Sequence, residues 1–439
     1  MSVARAQTLD EALNLLDVVP LDFLGAPQSP KSPASNPEFY TELPPLDHEE
    51  LPGSGPAERL RRSLLGRRSQ MKVFLAGHVG SGKSTQINRL AADPAIQDAF
   101  TVILLRLEPQ LAPFLDTGQL LFLIAGEIFK LGVDKGLLSE DERWKKILHE
   151  LDAKLYGDAG IVAREGSLSA EYNLLFVKVR QELQLSEHRR RQFRQLGETQ
   201  QTLFIDLLNA LTLDIETRLT EQGSHRSLLV LIDDLDKVRG VEQQKDIFDT
   251  NFAALQQLPF RVLYTVPTGV ALGPNRQELR RTIEHLYPVR VLDKAPQGFE
   301  PEKAFIPGSD AFFRSALHHR VEPGIIDDEA IRMAAIYSGG VLREFFRLLR
   351  SAADLAQYHQ LDQVDARALR AAVRDARLRE SAGLLRPDMQ ALLAVHEHHD
   401  LEREEDRRYL DEGRVLECYN DRVWYEVNPL LWSIIRPRD

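Results

Sequence analysis

Apolar positions recur along this chain in two registers. Short runs at 73–76, 100–107, 228–232 and 260–266 are almost wholly apolar, and 289–292 is a possible fifth. Runs of that length predict strands buried on both faces, as in a parallel sheet covered by helices. Between and after them, apolar residues spaced three and four apart predict helices. They cover 83–92, 117–132, a long stretch through Leu203, Leu207, Leu208, Leu211 and Ile215 ending near Gly223, and 275–286. Pro288 breaks that last helix from the fifth strand. After about residue 305 the strands stop, and helical patterns follow at 310–319, 327–337, 341–357 and 363–378. The segment 386–439 changes again: two helical stretches, then alternating arms at 415–419 and 423–427 around Asn420-Asp421, then a short helix from Pro429. Helix, helix, hairpin is the outline of a winged-helix module. The fold class is therefore α/β, with a helical unit and a small C-terminal unit appended.

The N-terminus reads differently. Thr8-Leu9-Asp10-Glu11 is a capping-box pattern opening an apolar stripe of Leu9, Ala12, Leu13 and Leu16. Such a short helix is marginal alone. Residues 20–56 hold nine prolines among Ser, Gly and acidic residues, which favours an extended or disordered linker. The region 1–56 is thus expected to be a largely disordered tail with a short docking helix, unless it folds back on its own domain. The divisions that follow are a core at 57–305 with a helical insertion at about 133–226, a helical lid at 306–380, and the winged-helix-like segment 386–439.

Composition narrows the classes. Net charge is −11, so the chain as a whole is no basic nucleic-acid coat. The single cysteine, Cys418, excludes a disulfide framework within the chain and suits a cytoplasmic protein. The longest apolar run, 120–125, is far short of the roughly 20 residues of a membrane span.

The chemistry begins at Gly77-His78-Val79-Gly80-Ser81-Gly82-Lys83-Ser84, which matches G-x-x-x-x-G-K-[ST] in full between a buried strand and a helix. Glycines let backbone N–H groups turn inward around phosphates, and the helix N-terminus adds its positive dipole end. Lys83 is placed to reach the β and γ phosphates of ATP, the Ser84 hydroxyl to ligate Mg²⁺, and Thr85 follows in the first turn. The strand 228–232 ends in Asp233-Asp234, the pattern of a Walker B strand. Asp233 is the expected metal carboxylate. Asp234 is the expected group that orients or deprotonates the attacking water, where many ATPases carry the longer Glu. Asp236 and Lys237 follow in the turn, where the acidic residues could equally be caps.

One strand lies between the phosphate loop and the acidic strand. This resembles the additional-strand division of P-loop ATPases, whose sheet order is 5-1-4-3-2. The closer resemblance is to AAA+ ATPases and their STAND-like, initiator-type and KAP-type relatives. It rests on the phosphate loop, on Leu231-Ile232-Asp233-Asp234-Leu235-Asp236-Lys237, and on Ser338-Gly339-Gly340-Val341-Leu342-Arg343, which looks like a sensor 2 motif. The resemblance implies ATP hydrolysis with Mg²⁺, Arg343 reaching the γ phosphate, and a polar sensor 1 at the end of the fourth strand, either Thr265 or Thr268. It also implies an arginine finger near Arg280 or Arg281, each of which could instead be an ordinary surface arginine. A switch of this kind couples nucleotide state to oligomerisation or to a protein partner, often in stress or antiviral defence.

The chain departs from the pattern in its long insertion, which carries Arg189, Arg190, Arg191 and Arg194, a candidate phosphate clamp or a solvated face. Residues 386–439 hold eight Arg against thirteen Asp or Glu, which speaks against a DNA-binding wing. A DNA-dependent loader or initiator and a nucleotide-binding scaffold with little turnover are the alternative readings.

Overall fold

The computed structural model describes residues 5–24, 35–45, 55–66, 71–138, 142–157, 160–161, 166–224, 226–238, 240–272, 279, 282–294, 298–401, 404–420 and 422–437. Five strands form one parallel sheet: β1 Lys72–Gly77, β2 Phe100–Arg106, β3 Ser227–Asp233, β4 Arg261–Val266 and β5 Ile283–Leu286. Their order is β2-β3-β4-β1-β5, the 5-1-4-3-2 arrangement that the resemblance to additional-strand ATPases implied.

The period of two along each strand divides the side chains between two cores. Phe74, Val230, Ile232, Val262 and Tyr264 face the insertion. Val73, Leu75, Leu229, Leu231 and Leu263 face the helices Pro56–Leu65 and Lys83–Ala92 through Leu60, Leu64, Ile87 and Leu90. Parallel pairing such as Leu75 with Thr265 and Leu231 with Leu263 brings the C-terminal ends of β1, β3 and β4 to one edge of the sheet. Open parallel sheets bind ligands outside that edge.

The fifth strand falls earlier than the apolar run at 289–292 suggested. β5 takes Ile283–Leu286, where a helix was expected, and pairs with Phe74–Gly77 of β1. It is a short edge strand whose Ile283, Glu284 and His285 are only half-buried, so it needs no continuous apolar run. Val291 and Leu292 pack instead in the core of the helical lid.

The insertion packs on the sheet and extends its core. Helix Thr117–Asp134 lies along the 35-residue helix Glu187–Glu221, with Phe122 stacked on Phe176 at 4.6 Å and edge-on to Phe193 and Phe204. The four arginines of the candidate clamp are engaged locally. Arg189 pairs with Glu182, Arg191 with Glu187 and Arg194 with Asp116, while Arg190 donates to the carbonyls of Leu183 and Gln184.

The lid comprises helices Ala311–His318, Asp328–Tyr337, Leu342–Tyr358 and Ala366–Ser381. Phe313, Phe345, Phe346, Leu349 and Ala353 fill its centre. The N-terminal helix Leu9–Leu15 joins this same core, burying Ala12, Leu15 and Leu16. Its approach is fixed by backbone hydrogen bonds from Ala6 N to Arg320 O and from Glu322 N to Ala6 O. The described parts of 1–56 are therefore not a free tail: the apolar stripe that would be marginal alone is covered by the lid.

Helix Arg386–His398 and the hairpin of β6 Val415–Asn420 and β7 Arg422–Val427 form the C-terminal unit. Asp421 lies outside the described residues. His396 is buried between the Glu426 carboxylate at 2.7 Å and the Gly298 carbonyl at 2.8 Å, and no metal-binding cluster occurs among the described residues.

Candidate nucleotide site

The loop between β1 and helix Lys83–Ala92 wraps back on itself. Gly80 and Gly82 take φ values of +93° and +104°, a region that side chains other than glycine rarely adopt. A Cβ on Gly80 would collide with Arg343. The Ser81 hydroxyl is buried and has no hydrogen-bond partner among the described residues. An orphaned polar atom inside a glycine-rich cradle at a helix N-terminus fits a phosphate oxygen.

Lys83 is buried in this loop. Its ammonium donates to the carbonyls of Gly77 and His78 and pairs with Asp236 Oδ2 at 3.0 Å. Ser84 Oγ donates to Asp233 Oδ1 at 3.0 Å. Ser84 and Asp233, from two different elements, are the residues that could hold Mg²⁺. Burial, and then the charges of Asp234 and Asp236, push Asp233 up to about 6. A divalent cation beside it would reverse that effect.

Asp234 is in the left-handed region at φ +69°, turning the chain sharply into Leu235–Lys237. Its carboxylate pairs with Lys237 at 2.7 Å. The buried Leu235 N–H donates to Thr265 Oγ1 at 3.0 Å, and Thr265 Oγ1 donates in turn to Ile232 O at 3.3 Å. The Thr265 hydroxyl is thus committed to holding the acidic turn.

The lid closes one side of the cleft. Gly339 and Gly340 have φ values of +59° and +83°, and a Cβ on Gly340 would strike the Val289 carbonyl. This turn delivers Arg343, whose N–H donates to Gly80 O at 3.2 Å. Arg347 and Arg350 pair with Glu344 and Asp17, whereas Arg343 has no carboxylate partner among the described residues. The opposite wall is the N-terminal segment. Leu21 N donates to Thr85 Oγ1 at 3.3 Å, Asn88 Nδ2 to Leu21 O at 2.8 Å, and Arg89 to the Tyr40 hydroxyl at 2.6 Å. Together these elements line one cleft between the phosphate loop, the acidic turn, the lid and the N-terminal segment.

The C-terminal unit touches the loop from behind. Glu417 N donates to His78 Nε2 at 2.7 Å, and the Glu417 carboxylate meets His285 Nδ1 at 3.0 Å. Burial, reinforced by Lys83, lowers His78 to about 3, consistent with a neutral ring accepting that bond.

The structure therefore brings together Gly77, Gly80, Ser81, Gly82, Lys83, Ser84, Thr85, Asp233, Asp234 and Arg343. Thr265 and Thr268 are buried and do not line the cleft. Arg280 and Arg281 lie outside the described residues. Sequence reasoning missed the grip of Asp236 on Lys83, the N-terminal wall, and Arg320. Arg320 is buried against the Phe346 ring at 4.3 Å, donates to Leu15 O at 3.0 Å and lines the cleft. Nothing in its local sequence marks it, because the Leu15 carbonyl it donates to lies some three hundred residues away.

No family model and no curated protein matches this chain. Similar solved structures include one titled as Drosophila ORC bound to DNA, at 12% identity over 99% of this chain and 94% of that chain, with a TM-score of 0.35. Another is Cdc6p from Pyrobaculum aerophilum, at 13% identity over 91% and 96%, with a TM-score of 0.39. A third is the Aeropyrum pernix ORC2 protein in ADPNP–ADP complexes, at 13% identity over 91% and 95%, with a TM-score of 0.42. These likenesses are too distant to assign roles. The class of the chain, a P-loop protein with the additional-strand sheet of AAA+ ATPases, follows from its loop and its strand order.

Proposed function

We propose that this protein is an ATP-binding and ATP-hydrolysing switch of the AAA+/STAND-like kind. The observation that carries the reading is the convergence on one cleft between sheet and lid of Lys83, the Ser84–Asp233 pair and Arg343, which has no carboxylate partner among the described residues. In this reading the loop N–H groups and Lys83 hold the phosphates, and Ser84 and Asp233 hold Mg²⁺, which neutralises charge on them. Asp234 orients water, and Arg343 links the γ phosphate to the lid. The N-terminal wall of Leu21 and Tyr40 flanks the remainder of the nucleotide. Movement of the phosphate loop then passes to the C-terminal unit through His78 and Glu417 and changes oligomeric state or partner binding. The stress or antiviral setting and the cytoplasmic location are carried by resemblance and composition. No helix among the described residues is long and apolar enough to cross a membrane.

A DNA-dependent ATPase is the second reading. The observation on its side is the exposed face of helix Ala366–Ser381, which presents Arg367, Arg370, Arg374 and Arg379. Against it stands the acidic excess of residues 386–439. The test is ATP turnover by the purified chain with and without duplex DNA, with mass in solution recorded in ATP and in ADP. Turnover with an ATP-dependent mass change supports the switch. Turnover that requires DNA supports the second reading. Tight binding without turnover under any condition supports a nucleotide-binding scaffold.

A further inference from the structure

The acidic turn places three carboxylates at the cleft, and they are not equivalent. Asp233 accepts from Ser84. Asp234 is tethered to Lys237 on the half-exposed side of the turn. Asp236 reaches inward and pairs with Lys83, both side chains being more than nine-tenths buried. The turn cannot drift, because Leu235 is fully buried and its N–H is held by Thr265.

An ammonium has three N–H donors. Those of Lys83 face Gly77 O, His78 O and Asp236 Oδ2, so its hydrogen-bonding capacity is filled by the protein itself. Two of these acceptors are carbonyls of the phosphate loop. Only Asp236 approaches on a rotatable side chain and carries a full negative charge. A phosphate oxygen that takes up Lys83 must therefore displace a partner, and the carboxylate is the one that repels it.

We propose that Asp236 is a built-in competitor for Lys83, so that binding of a nucleoside di- or triphosphate is an exchange of anions on Nζ. Asp236 is a positioning residue in this scheme. It holds the lysine in a buried, charge-neutral arrangement and sets nucleotide affinity by how readily it gives way. The inference rests on the nucleotide-binding reading above and adds which of the three carboxylates tunes it.

The test is calorimetric titration of the full-length protein with ADP and with inorganic pyrophosphate in EDTA, which separates Lys83 from metal chemistry. The variants are Asp236→Asn, Asp236→Glu, Asp234→Asn and Lys83→Ala. Asp236→Asn keeps an acceptor but removes the charge, and is expected to bind ADP about tenfold more tightly, ~1.4 kcal/mol. Asp236→Glu keeps the charge and is expected to stay within about threefold of wild type, a shift under ~1 kcal/mol. Asp234→Asn removes a charge from the same cleft without touching Lys83, and is also expected to stay near wild type. Its behaviour separates exchange on Nζ from a general gain on deleting negative charge. Unchanged or weaker binding by Asp236→Asn, or an equal gain in Asp234→Asn, overturns the proposal. Wild-type protein that binds neither probe, or binds as Lys83→Ala does, instead overturns the nucleotide reading and the exchange with it.

Discussion

Replacing Asp233 by Asn is expected to make the protein more stable while disabling it. Asp233 is pushed from an ordinary 3.8 up to about 6, chiefly by burial and then by its two acidic neighbours. That displacement corresponds to ~3 kcal/mol against the charged form. The sign follows from proton linkage. A carboxyl raised on folding binds its proton more tightly in the folded state, so its favourable contribution is present below the unfolded value and is lost as pH rises towards about 6. Wild-type stability is therefore penalised at pH 7, and Asn escapes the penalty. The Asn Oδ1 can still accept from Ser84 Oγ and from Asp234 N, so the hydrogen bonds survive. Spread over the unfolding entropy of the α/β core or of the whole chain, ~3 kcal/mol corresponds to a melting-temperature gain of about 3–6 °C. The assay is thermal unfolding of both proteins in EDTA from about pH 4 to pH 7.5. The gap should open as pH rises through the range between 3.8 and about 6, and close at its acid end. Adding Mg²⁺ to the ADP-bound proteins should stabilise wild type further and leave the ADP-bound variant largely unmoved, because the metal needs the carboxylate. A variant less stable than wild type at pH 7, or a gap independent of pH, refutes the reasoning.

Other substitutions test separate parts of the account. Gly80→Ala demands a Cβ at φ +93° in the space taken by Arg343. It should weaken ADP binding at least tenfold, ~1.4 kcal/mol, by calorimetry. Thr265→Val strips the buried Leu235 N–H of its acceptor, and should lower stability by about 1–3 kcal/mol in denaturant unfolding. Leu16→Ala, at a fully buried contact with the lid, should cost about 2–5 kcal/mol. A surface docking helix would instead give a change near zero. His78→Ala removes the acceptor for Glu417 N–H. Hydrogen exchange at 415–420 should then quicken while the sheet stays protected.

Much of this was legible in the sequence where the signal is local. The phosphate loop, the acidic strand end and the double glycine before Arg343 each combine a short pattern with a strand or helix that must flank it. Four strands declared themselves because burial on both faces forces unbroken apolar runs. β5 did not, because an edge strand can carry Glu284 and His285 half-exposed, while the apolar pair Val291 and Leu292 was drawn to the lid core. The tail left two outcomes open, disordered or folded back, for a related reason. Its prolines predict extended chain, and the described parts are extended between short helical turns, yet Leu21, Phe39 and Leu43 are buried against distant partners. Thr265 shows the limit at a site. Its position at the end of β4 is what a sensor requires, but its hydroxyl is spent on Ile232 and Leu235, a choice set by geometry across β3 and β4. The pairing of Lys83 with Asp236 spans elements 153 positions apart and is visible only once β1 and β3 are folded into one sheet.

The central claim is that the cleft between sheet and lid binds ATP with Mg²⁺ through the phosphate loop. The most direct measurement is calorimetric titration of the full-length protein with Mg-ATP, beside Lys83→Ala. The account predicts one site per chain in the wild type and a loss of at least a hundredfold, ~2.7 kcal/mol, in the variant. Equal binding by the two proteins, or none by either, would contradict it.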